Sequence, residues 1–132
     1  MPNQLASTMT VREIARQVAE AIAVLNDLTH GGGELRNPSE VRDIIASLGL
    51  LGQGLPQLCE QLARFLVTHH EDGQVAHASG QDPDLSVTEV TEALAAAGQA
   101  ADMMTAALEE AHQASAGLTA ARYTSPARPA GH

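Results

Sequence analysis

The sequence has no lysine and no tryptophan, and among its 132 residues it holds one cysteine, one phenylalanine and one tyrosine. Each scarcity excludes something. Phe65 and Tyr123 are the only aromatics, so any core must be aliphatic. A single cysteine, Cys59, permits no internal disulfide, and a lone thiol on an apolar stripe is expected to be buried and inert. β-Branched and aromatic residues, which favour strands, are sparse, while alanine, the best helix former, is the commonest residue. The expected class is all-α, and 132 residues suffice for one domain with a modest core.

Positive charge is also scarce. The formal net charge is −9, and all seven cations are arginine, a bias that GC-rich coding produces. Residues 71–86 carry four acids and no cation, and residues 87–121 carry five acids and no cation. Phosphate binding needs Lys or Arg, so the chain is not expected to bind nucleic acid. The same charge disfavours anionic membrane surfaces. No run approaches 18 uninterrupted apolar residues, and no basic segment precedes an apolar block near residue 1. A cytoplasmic protein with neither a membrane span nor a secretory signal is expected.

What is present is helical pattern. Residues 1–9 read as a flexible leader. Thr10-Val11-Arg12-Glu13 fits a capping box, and Val11, Ile14, Val18, Ile22, Leu25 and Leu28 fall on one face of a helix over about 11–29. Gly31, Gly32 and Gly33 end it. Asn37-Pro38-Ser39-Glu40 opens a second helix, with Asn as cap, Pro at the first helical position and Glu at the third. Its stripe runs Val41, Ile44, Leu48, Leu51, Leu55, Leu58, Leu62 and Phe65, alternating steps of three and four.

Within that helix stands "SLGLLGQGLPQL". An interior Gly costs roughly 1 kcal/mol and an interior Pro about 3 kcal/mol relative to Ala. Yet the heptad phase survives the segment, and no Ser, Thr, Asp or Asn directly precedes Pro56 to cap a new helix. One helix over about 38–70, kinked near 52–56, is therefore expected in preference to a break.

A polar segment follows, and a third helix is expected over about 86–122, opened at Ser86 by a second capping box or slightly earlier at Asp82-Pro83. Its stripe is Val87, Val90, Leu94, Ala97, Ala101, Met104, Leu108, Ala111, Ser115 and Leu118. Residues 123–132, with two prolines, read as a disordered tail.

The second and third helices match in length, so an antiparallel hairpin is expected. The first should fold back along the first half of the second, giving a three-helix bundle over 10–122, with Val11 level with 54–57. The distal end of such a hairpin cannot bury its stripe alone. Leu58, Leu62, Phe65, Leu66, Val90 and Leu94 are the expected partner-binding residues. Self-association is expected, with a dimer favoured. The alternative is an acidic regulator that binds a basic protein partner through residues 82–110.

Chemistry is not evident. His69, His70 and His77 lie near Glu71 and Asp72, but no HExxH or Cx2C spacing accompanies them, and no metal site is expected. No GxSxG occurs, and the glycines at 31–33 lack the following Lys of a phosphate loop. Glu109 and Glu110 are adjacent, so they diverge on a helix surface. The chain is therefore expected not to be an enzyme and to need no cofactor.

Overall fold

The structure is a computed structural model and describes residues 9–121. The leader and tail expected from the sequence lie outside the described residues, Met9 apart. Three α-helices are present and, among the described residues, no strand. They are α1 (Val11–Thr29), α2 (Pro38–Glu71) and α3 (Asp84–Ala114), with a 3₁₀ turn at His30–Gly32. The chain is all-α and is built on a long antiparallel hairpin, as its sequence pattern predicts. Gly52 lies against Thr105, Pro56 against Gly98, and His70 bonds to Asp84, so position along α2 rises as position along α3 falls.

The first two caps form as expected. Thr10 Oγ1 accepts from the Glu13 N–H at 3.1 Å, and Glu13 Oε1 accepts from the Thr10 N–H at 2.8 Å. Asn37 Oδ1 accepts from the Ser39 N–H at 2.9 Å, and Glu40 Oε1 accepts from the Asn37 N–H at 2.9 Å. α2 then runs unbroken for 34 residues with Pro56 in its interior, so the glycine-rich segment does not end it.

α3 takes the earlier of its two expected starts and ends sooner than expected. It starts at Asp84, after Asp82-Pro83 and not at Ser86, and Asp82 Oδ1 accepts from the free Asp84 N–H of its first turn at 2.9 Å. It stops at Ala114 instead of continuing to 122. Buried Ser115 turns its hydroxyl onto the His112 carbonyl at 2.7 Å, and Gly117 takes φ 85°, a left-handed conformation that closes the helix. Leu118, expected on the stripe, lies beyond it.

Two packing expectations are corrected. The first concerns α1, which does not lie along α2. Among the described helices only α2 and α3 pack closely, and α1 has no buried residue. Only its last turn approaches the hairpin, where Leu25 stands beside Ile44 and Leu48.

The second concerns register. The face of α2 turned to α3 is not the leucine stripe but the face one residue further on: Ile45, Gly49, Gly52, Pro56, Cys59, Ala63, Leu66 and His70. On α3 the matching seam keeps Val87, Leu94, Ala101, Leu108 and Ser115 but takes Thr91, Gly98, Thr105 and His112 in place of Val90, Ala97, Met104 and Ala111. The reason is distance. A glycine presents no side chain, so two backbones can approach there, whereas a row of leucines would hold them apart. The helices close on their small residues, and the large ones are pushed to the flank.

Candidate functional site

The displaced stripes end up on the same side. In an antiparallel pair, residues one step before the seam on each helix fall on a common flank of the hairpin. On α2 that flank carries Leu48, Leu51, Leu55, Leu58, Leu62 and Phe65, and on α3 it carries Val90, Ala97, Met104 and Ala111. The opposite flank is mainly polar: Gln53, Gln57, Glu60 and Arg64 on α2 face Asp102 and Glu109 on α3, with Ala46 and exposed Leu50 at its start. One face of the hairpin is therefore continuously apolar and the other is not.

The apolar face is uncovered toward the α2–α3 connection, while Ile44, Leu48, Leu51 and Leu55 nearer the start of α2 are half-buried. Leu58, Leu62, Phe65 and Val90 are 47%, 49%, 62% and 44% exposed. Leu66 and Leu94 are half-buried in the seam, Leu94 beside Pro56, Cys59 and Ala63, so these two stabilise the hairpin more than they offer contact. Four of the six expected contact residues thus share the open face. Leu51 and Leu55, both half-buried, and Met104, exposed, continue its line. The signal for the first two was already in the sequence, since they continue the same 3–4 alternation.

Very little of the chain is buried. Among the described residues the buried hydrophobic side chains are Val87 and Ala101, both small. Cys59, expected to be buried, is only half-buried, because its seam is closed by small residues that leave it partly open.

His69, His70 and His77 each have a local contact of their own, whereas buried Arg42 Nε has no hydrogen-bond partner. The Phe65 and His69 rings stack with centroids 3.9 Å apart, and His69 Nδ1 lies 3.2 Å from the Phe65 carbonyl. His70 Nε2 pairs with Asp84 and ties the last turn of α2 to the first of α3. His77 Nδ1 accepts from the Ser79 N–H at 3.1 Å. The three histidines thus serve separate local contacts, and among the described residues no three metal-ligating side chains converge. The acids of residues 82–110 are distributed around α3: Asp102 and Glu109 border the polar flank, and Asp84 is held at the hairpin end.

Glu13 and Glu40 titrate below the ordinary glutamate range. Glu13 is held down by bonds from the Thr10 backbone and then its side chain. Glu40 is held down by the N–H groups of Arg36 and Asn37, with a smaller contribution from the Arg36 charge. Both are capping carboxylates, so their shifts belong to helix starts and not to catalysis. No described helix is long and apolar enough to cross a membrane.

Compared with known protein families, with curated proteins and with solved structures, the chain matches none.

Proposed function

We propose that the chain is a non-enzymatic helical interaction protein that works by self-association through the apolar hairpin face, as a dimer. The observation that carries this reading is the pairing of a continuous apolar flank with an interior whose only buried hydrophobic side chains, among the described residues, are Val87 and Ala101. A folded domain is held by apolar burial against chain entropy, and two small side chains fall far short of that. Covering Leu58, Leu62, Phe65 and Val90 supplies the missing burial. Exposed aliphatic surface of this extent and continuity marks a contact surface. The polar flank, with Glu60, Asp102 and Glu109, stays in water and limits association to one side.

Leu62→Asp tests the reading. It places a charge in the middle of the open face without touching the α2–α3 seam. The expected result is loss of the dimer by light scattering at tens of micromolar, with helicity falling as well because a lone chain lacks a sufficient core. An unchanged mass, or a wild-type chain already monomeric at that concentration, overturns the reading. Lost helicity with an unchanged dimer mass would place Leu62 in the core of one chain instead.

A further inference from the structure

The first helix presents a second uncovered surface. Val11, Val18, Ile22, Leu25 and Leu28 line one side of α1, and each is at least 37% exposed. Helices in proteins draw most of their stability from packing an apolar face, so the 19-residue α1 needs something against that stripe.

Its own hairpin is poorly placed to provide it. The connector from α1 to α2 is a fully bonded turn and not slack chain. Gly31, Gly32 and Gly33 all have positive φ, and the Glu34 N–H donates to the Leu28 carbonyl at 2.8 Å. The Leu35 N–H donates to the Gly32 carbonyl at 2.9 Å, and Glu40 caps the N–H groups of Arg36 and Asn37. Gly33 is pressed onto the end of α1 so closely that an added Cβ would stand 1.8 Å from the Leu28 carbonyl oxygen. With this turn set, α1 does not pack closely along α2, and Leu25 meets the hairpin at Ile44 and Leu48.

We propose that α1 of one copy lies on the apolar hairpin face of a second copy, so that two chains exchange their first helices around a two-fold axis. The proposal rests on the self-association reading and specifies its geometry. Lengths are comparable: α1 spans roughly 28 Å, and the face beyond the chain's own Leu25, from Leu51 to Phe65, spans roughly 21 Å. Area agrees as well. Covering both stripes on both copies removes roughly 2,000 Å² of apolar surface, the scale of a stable dimer. Pairing hairpin on hairpin alone would leave both α1 stripes in water. A short, stiff connector that prevents a helix from reaching its own chain is the setting in which helices exchange between copies.

The test uses the full chain with the photoreactive residue p-benzoylphenylalanine in place of Ala21, an exposed position on the α1 stripe. Unlabelled and ¹⁵N-labelled copies are mixed, unfolded, refolded together and irradiated, and linked peptides are identified by mass. The expected products join α1 to residues 41–65 with mixed isotopes, in the statistical proportion for two different chains. Links confined to a single isotope place α1 on its own hairpin and overturn the exchange. So do links that miss residues 41–65, or a failure to link in a dimeric sample. Ile22→Asp provides an independent check. The dimer should weaken at least tenfold, and an unaltered dissociation constant contradicts the proposal. A dimeric mass with same-chain links removes the exchange but leaves self-association standing, whereas a monomeric mass removes both.

Discussion

Gly52 of α2 sits directly against Thr105 of α3. A Cβ added to Gly52 would stand 2.5 Å from Thr105 Oγ1 and 3.0 Å from Met104 Cε. The threonine cannot yield freely, because its hydroxyl donates to the Ala101 carbonyl at 2.8 Å. Gly54, two residues on, has nothing within 4 Å of the same position. The two glycines are alike in sequence context and opposite in spatial role.

Their alanine variants should therefore diverge. Gly54→Ala gains the full helix-propensity difference, about 1 kcal/mol. Gly52→Ala gains the same propensity but must displace Thr105, so it should melt below Gly54→Ala and no higher than wild type. Parallel thermal denaturation followed by circular dichroism checks this. Equal gains for both variants would show that the helices are not this close at Gly52.

Gly98 makes the reciprocal contact on α3. An added Cβ there would meet Pro56 Cα at 3.5 Å, ordinary van der Waals distance. Gly98→Ala should thus be accepted and should stabilise by about 1 kcal/mol, while Gly98→Leu should separate the helices and lower stability by about 1–3 kcal/mol. Urea titration of the two variants distinguishes room for one methyl group from room for more.

Acid should act on the helix starts. Glu13 and Glu40 have folded-state pKa values below their unfolded ones. Their contribution is present in full above the unfolded value and is lost as pH falls through the lower folded value. Between neutral pH and the ordinary carboxylate range, this pair adds no pH dependence. Below that range, stability declines. The Glu13→Gln, Glu40→Gln double variant should be less stable than wild type at pH 7, and the gap should narrow on acidification to about pH 3. A gap that stays constant would show that the two carboxylates do not act through their charge.

Much of the fold was legible in the sequence, and particular residues show where legibility ended. Thr10 with Glu13 and Asn37 with Glu40 mark helix starts because capping is local chemistry. The continuity of α2 through Pro56 followed from conserved heptad phase, since an intervening loop has no reason to keep register. The end of α3 was missed because the apolar pattern continues to Leu118, while Gly117 and the Ser115 hydroxyl terminate the helix through backbone conformation. The seam was displaced by one residue for a different reason. Hydrophobic periodicity finds the most apolar face, whereas two helices meet on the face that lets them come closest, here the one with Gly52, Pro56 and Gly98. That shift turns Leu58, Leu62 and Phe65 outward toward the α2–α3 connection, while Leu48, Leu51 and Leu55 on the same flank stay half-buried. The uncovered state of α1 was not legible either. It depends on the path of the chain through Gly31–Gly33, which composition marks as a turn without giving its direction.

The most direct test of the central claim, that one chain lacks a sufficient core and a second copy completes it, is thermal melting over a hundredfold range of protein concentration. A fold completed by a second copy has a midpoint that rises with concentration, and its mass before melting should be twice 13.7 kDa. A cooperative transition with a concentration-independent midpoint and a mass of 13.7 kDa would contradict the account.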